Sequence, residues 1–380
     1  MQIANVLDAN LIIGGCAYAL STNTFESICI FQDALKLLPE CRLILDDVGG
    51  FFESVPLVDG MPILIQMRSL NANSKVRTIP FVLSGKPDIV DVPNGKVYTI
   101  YGIYANPKYF RDRPFTCYNN CNSSQAIARI ATECGFKPDV NLLANDYMDW
   151  YSGSLSYGQW AQRISDYAYF KDGSCAMVAV TEDGILKYKN ISDLPLTSGI
   201  KGYFYKVSPI DGVNSFKVEN SIYKDDYGAD NYLYGYKYKV IDTKLDGGTD
   251  VFSKITFNKR YSNKVNVNKN INNNISCVRA EFGNVDCGNT HPNYWKAYHQ
   301  NKRLRCLYSS NYLPVISTES NIQLFDLVKV ESINNDEYST NDTSTYIVVA
   351  KVKMISDDLS YHERFLLSTT GKNINNINLV

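Results

Sequence analysis

Turn signals cut the chain into short pieces before residue 105, and this punctuation limits its folds more than any other feature. Asp47-Val48-Gly49-Gly50, Asp59-Gly60, Ser84-Gly85-Lys86-Pro87 and Pro93-Asn94-Gly95 all combine residues that favour tight turns. Between and around them lie short apolar, partly β-branched runs at 26–31, 42–46, 62–68, 76–83 and 96–104. Such runs predict strands, and short strands at this spacing predict a small barrel or sandwich. The apolar stretch from Leu11 to Leu20 is broken by Gly14 and Gly15.

The pattern then changes period. Asn122-Ser123-Ser124 offers N-caps, Ile127, Ile130, Ala131 and Cys134 recur at helical spacing, and Gly135 supplies a stop. A second helix is predicted from Ser156, with Trp160, Ile164, Tyr167 and Ala168 on one face and an end near Lys171-Asp172-Gly173. The runs 174–180 and 185–189, joined by Glu182-Asp183-Gly184, predict a hairpin. Residues 108–205 therefore read as an α+β unit inserted after an all-β start.

Strands resume near Gly202. Tyr232, Tyr234, Tyr236 and Tyr238 alternate with Leu233, Gly235, Lys237 and Lys239, which places four rings on one sheet face. As core, the four hydroxyls would each need a partner. As an interface, the rings would bury area while the hydroxyls met a wet rim. Both readings stand. Residues 262–276 are dense in Asn and Lys and predict a loop or solvated turn. A third helix is expected from His291-Pro292 to about 309, with Trp295 and His299 one turn apart. The chain closes on predicted strands at 327–331, 345–353 and 362–367, with Asn334-Asn335-Asp336-Glu337 as a surface loop.

No catalytic constellation stands out. Leu83-Ser84-Gly85-Lys86-Pro87 lacks the glycine and the hydroxyl residue of a phosphate loop. Gly153-Ser154-Leu155-Ser156-Tyr157 fails the nucleophile-elbow spacing. Cys117 and Cys121 could ligate zinc with His291 or His299, but their spacing is wrong for the usual fingers and no second cysteine pair follows. The acidic pairs Asp46-Asp47, Asp225-Asp226 and Asp357-Asp358 sit in turn-like contexts, where aspartate forms turns. Lys108, Arg111 and Arg113 form a small basic cluster, and Lys302, Arg303 and Arg305 a basic helix face. The expectation is a non-enzyme with no cofactor and no metal.

Composition narrows the partners. The net charge of 380 residues is −1, so no strong field draws nucleic acid or an anionic membrane. There is no long unbroken apolar run for a membrane span. The first residues lack the charged start of a signal peptide, so synthesis in a cytosol is expected, with the ten cysteines reduced. Tyrosine is the outlier, with 28 copies against 16 Phe and 3 Trp, which suits strands and interfaces.

Three stretches carry a resemblance to a known family. The first is Leu43-Ile44-Leu45-Asp46, then Pro56-Leu57-Val58-Asp59-Gly60 and Ile63-Leu64-Ile65-Gln66. The second is Trp150 followed by the helix from Tyr157 and the hairpin after it. The third is Phe325-Asp326-Leu327-Val328-Lys329-Val330, then Tyr346-Ile347-Val348-Val349 and the strand to Leu367. In order and spacing these resemble the baseplate hub proteins of contractile-tailed phages, relatives of the N-terminal part of secretion-system spike proteins. The helix with Trp295 and Tyr298 also falls where that family has one.

The resemblance implies a mainly β, α+β chain with two similar small β-barrel domains and α+β insertions. The expected division is 1–107 (first barrel), 108–205 (α+β insert), 206–240 with 315–372 (second barrel), 241–314 (second insert) and 373–380 (flexible tail). It implies a virion baseplate protein, made in the host cytoplasm: a homotrimeric ring that adapts a hexameric tail tube to a trimeric central spike. Expected partners are the tail tube protein, the spike and other baseplate proteins, with no membrane and no sequence-specific nucleic acid. The genome would pass through the ring on ejection. Tyr232, Tyr234, Tyr236, Tyr238, Trp150 and Trp295 are the candidate subunit or partner contacts. The alternative is a receptor- or carbohydrate-binding tail protein.

Overall fold

The computed structural model describes residues 8–21, 24–68, 76–140, 144–170, 175–191, 194, 198–206, 214–223, 237–243, 250–256, 279–284, 290, 291, 293, 294, 297, 298, 301, 305, 310–331 and 343–368. The first third holds β1 (Asp8–Ile13), β2 (Cys16–Tyr18), β3 (Phe25–Asp33), β4 (Glu40–Asp47), α1 (Phe51–Ser54), β5 (Pro62–Arg68), β6 (Arg77–Leu83), β7 (Asp88–Val92) and β8 (Gly95–Tyr104). The predicted strands in this region are all present. The interrupted apolar stretch proves to be a hairpin, β1–β2, closed by the Ile13–Cys16 pair. Gly14 and Gly15, at φ +59 and +86, supply the positive φ values that a tight two-residue hairpin turn demands.

The inserted unit follows: α2 (Pro107–Arg111), β9 (Cys117–Cys121), α3 (Ser123–Glu133), β10 (Lys137–Val140), β11 (Met148–Tyr151), α4 (Tyr157–Tyr167), β12 (Ala176–Val180) and β13 (Ile185–Asn190). Both longer helices start on capping boxes, Asn122 with Gln125 and Ser156 with Gln159, each of which satisfies two orphan backbone donors. Gly135 at φ +77 ends α3. The hairpin β12–β13 is antiparallel, as its turn sequence predicts.

The last part contains β14 (Ile200–Tyr205), β15 (Ser215–Lys217), β16 (Asn220–Tyr223), β17 (Lys237–Thr243), β18 (Asp250–Thr256), β19 (Arg279–Asn284), β20 (Ser310–Ile316), β21 (Leu327–Glu331), β22 (Thr343–Ser356) and β23 (Tyr361–Ser368). The Asn-rich residues 262–276 and the tail 373–380 lie outside the described residues. So do Pro292, Trp295 and His299 of the expected third helix. Its described members Tyr294, Ala297, Tyr298, Asn301 and Arg305 are helical.

Fifteen of the described strands form one curled sheet. β22 stitches it together: one edge runs along β23, and the other meets β21 first and then β3. The two β units therefore share a backbone ladder while each wraps its own apolar cluster. Leu11, Phe25, Leu43, Ile65, Phe81 and Ile100 fill the first, with Ile355 and Tyr361 reaching in from the far end of the chain. Phe204, Tyr312, Leu327, Val348 and Phe365 fill the second. A third cluster, with Ile127, Trp150, Trp160 and Ile164, lies inside the inserted unit.

β12 belongs to two of these clusters. All five residues are buried. Met177 and Ala179 enter the second β unit's core, while Ala176, Val178 and Val180 enter the insert's core. Period two in a strand thus makes β12 a wall with a core on each side. The helical residues near 300 also join the insert. Tyr294 is in its cluster, and Asn301, fully buried, donates its amide to Ser165 O, Asp166 O and Ala168 O at 3.2, 2.9 and 2.9 Å. Those carbonyls end α4 and have no intrahelical partner. Asn301 also accepts from Ala176 N at 2.9 Å.

Candidate functional site

The candidate contact residues part company. Tyr232, Tyr234, Tyr236 and Trp295 lie outside the described residues. Tyr238 falls in β17, where only its backbone is described. Trp150 is corrected: it is buried at 3% exposure, and its indole Nε1 donates to Cys121 O at 2.9 Å. Its ring is held inside this chain, because Met148 and Trp150 take the inward positions of β11. The outward positions beside them are Tyr147 and Tyr151, exposed at 56% and 49%.

The other flagged residues have structural roles. Asp47 is buried, and its carboxylate accepts from Phe51 N and Phe52 N at 2.7 and 3.1 Å, capping α1. Asp357 and Asp358 accept from turn amides. Asp225 and Asp226 lie outside the described residues. Among the described residues no group of His, Cys, Asp and Glu is arranged to hold a metal. His291 is buried, with Nε2 3.0 Å from Tyr167 O and Nδ1 accepting from Asn293 N at 3.2 Å. Burial lowers its pKa, against the pull of nearby Asp146.

The densest polar constellation is one that sequence inspection missed. It lies where the insert meets the sheet. Lys351 and Lys353 sit two apart on β22 and so share a face, opposite Gln32 of β3 and Glu363 of β23. Lys351 pairs with Glu363 at 3.0 Å and donates to Ile322 O at 3.0 Å. Glu363, fully buried, also accepts from Tyr361 OH at 2.6 Å and Ser320 N at 3.2 Å. Lys353 pairs with Glu182, in the turn between β12 and β13. The backbone N–H of Glu182 donates to Gln32 Oε1 at 3.3 Å, while its own Oε2 is buried with no hydrogen-bond partner. Lys187 of β13 donates to Leu324 O at 2.9 Å and stands 3.9 Å from Asp326.

Electrostatics follow from burial. Desolvation lowers Lys351 and Lys187 and raises Asp326, in each case opposed by the partner's charge. Lys353 is also depressed by burial, but Glu182 and Glu363 outweigh that and hold it above the ordinary lysine value. A cavity of about 270 Å³ opens beside these groups, lined among others by Gln32, Arg77, Glu182, Asn321 and Lys353. Arg77, at 40% side-chain exposure, stands 3.3 Å from Glu319 and 3.9 Å from Glu182. Each of these buried ammonium groups has its carboxylate. Such pairs fix geometry, since losing one partner strands a buried charge. The constellation therefore locks the inserted unit to the sheet. Nothing in the sequence marked it, because Glu182 and Lys353 are 171 positions apart.

No family model and no curated protein matches this chain. Solved structures do. The tail protein from Neisseria meningitidis MC58 aligns over 96% of this chain and 96% of its own, at TM-score 0.57 and 8% identity. The 43 kDa tail protein of prophage MuSo2 from Shewanella oneidensis aligns over 96% and 98%, at TM-score 0.58 and 11% identity. The chain shares its fold with these tail proteins over 96% of its length.

Proposed function

We propose that this chain is a structural hub subunit of a phage tail. Three copies form a ring that adapts a hexameric tail tube to a trimeric central spike and surrounds part of the DNA path. The observation that carries this reading is the match to two tail proteins over 96% of this chain and 96% and 98% of theirs. Two β units in one polypeptide suit the task, because three such chains present six similar faces. A net charge of −1 suits a channel that must let DNA pass without holding it. The role is non-enzymatic, and the buried ionic groups at the insert junction serve rigidity. Tyr232, Tyr234, Tyr236, Tyr238 and Trp295 belong to this proposal as contacts with other subunits or partners.

The test is mass measurement of the purified protein, alone and mixed with tail tube and spike proteins from the same phage. A trimer that binds both is expected. A stable monomer that ignores both would overturn the reading.

A further inference from the structure

Arg77 stands where the three parts of the chain meet. It belongs to β6 of the first β unit. Its guanidinium lies 3.3 Å from Glu319, in the loop between β20 and β21, and 3.9 Å from Glu182, in the turn of the inserted hairpin. The nearer contact is an ion pair between side chains 40% and 27% exposed, and pairs as wet as this contribute little. The farther one is too long for a hydrogen bond.

Glu182 offers what Glu319 does not: a buried oxygen in want of a donor. Its side chain is 4% exposed, so the carboxylate is already out of water. Oε1 faces Lys353. Oε2 is buried with no hydrogen-bond partner among the described residues, a state whose cost a donor would remove. Arg77 approaches Glu182 on Oε1, the oxygen that Lys353 already holds. The cavity of about 270 Å³ lies between these groups, bounded by Arg77 and Glu182 with Gln32, Thr181 and Asn321. It gives the guanidinium room to turn inward by a change of side-chain rotamer.

We propose that Arg77 is a strap with two seats. In the outer seat it rests on Glu319 and ties the first β unit to the second. In the inner seat it turns into the cavity, donates to Glu182 Oε2 and ties the first β unit to the insert. With Lys353 on Oε1 and Arg77 on Oε2, each oxygen of Glu182 then faces one cation. The two seats lie close in free energy because their contributions oppose. Glu319 leaves the guanidinium hydrated, whereas Glu182 takes it out of water and satisfies a buried acceptor. The strap thereby sets how firmly the hairpin turn of the insert is held. This holds whether or not the chain forms a ring.

The experiment is hydrogen exchange, read by mass spectrometry on the full chain at the turn 181–185. There Glu182 N donates to Gln32 Oε1 at 3.3 Å and Gly184 N to Thr181 O at 3.0 Å, so exchange requires the turn to lift. The proteins are the wild type, Glu319→Gln, Arg77→Met and the double variant, each checked for fold by circular dichroism. Glu319→Gln removes the outer seat's charge and should slow exchange at the turn by roughly two- to fivefold, the worth of one ion pair. In the Arg77→Met background the same change should do nothing. A fixed Arg77–Glu319 pair gives the opposite sign, since its loss loosens the junction. Exchange in Glu319→Gln that is unchanged or faster would overturn the proposal, as would slowing that survives the removal of Arg77. Should Arg77→Met misfold, Arg77→Gln takes its place, and Glu319→Ser does the same for Glu319→Gln, with the same outcomes deciding.

Discussion

Glu182 and Lys353 form an ion pair between the turn of an inserted hairpin and the long strand that joins the two β units, with side chains 4% and 2% exposed. Such a pair defines where the insert sits more than it adds to stability. Glu182→Gln should leave a buried ammonium without its counter-charge and lower unfolding free energy by about 3–5 kcal/mol. Glu182→Leu with Lys353→Met should lose far less, and by the same physics could equal the wild type. Urea denaturation of the three proteins tests this; equal losses in the single and double variants would refute it.

Asn301 holds three carbonyls at the end of α4. Asn301→Leu keeps the bulk and removes the donors, stranding buried acceptors that each cost ~1–3 kcal/mol. The expected result is a loss of at least ~2 kcal/mol, with faster hydrogen exchange in the last turn of α4. Unchanged protection there would contradict the capping role.

Acid should weaken the same region. His291 donates through Nε2 and accepts through Nδ1, which requires the neutral ring, and burial holds its pKa below the ordinary 6.5. A depressed folded-state pKa means the unfolded chain takes the proton first. Stability from His291 is thus complete above about pH 6.5 and declines as pH falls through the folded-state value. Buried Asp146, raised by desolvation, acts with the opposite sign and in its own window above the ordinary carboxylate value. His291→Gln should flatten the pH dependence of the urea midpoint below pH 6.5; an unaltered slope would exclude His291 as its source.

Gly102 marks a close approach of strands. A Cβ there would lie 2.7 Å from Cys41 Sγ and 3.3 Å from Val82 O. Gly102→Ala should cost about 1–3 kcal/mol by overpacking, and Cys41→Ala in the same chain should recover part of that. Thermal melts of the single and double variants give the comparison.

Local signals were the legible ones. The helix starts at Asn122 and Ser156, the 182–184 turn and the strands at 62–68 and 327–331 are legible because each depends on residues a few positions apart. The β1–β2 hairpin is not legible, since Gly14-Gly15 reads equally as a mere break in an apolar run. Trp150 is a candidate contact in the sequence, yet strand parity turns it inward. Tyr147, Asp149 and Tyr151 share one parity and Met148 and Trp150 the other, and that alternation alone would have turned Trp150 inward. The ionic junction was beyond reach: a lone Glu182 or Lys353 looks like any surface charge until folding closes the distance between them.

The strand with a core on each side has an evolutionary and an engineering consequence. The stretch from 108 to 205 is not a removable cassette. Cutting it out would strip Met177 and Ala179 from the neighbouring hydrophobic interior and leave a hole in a part of the protein that nominally remained. β12 must be inherited as common property of both halves, and a push delivered to either one is handed straight to the other.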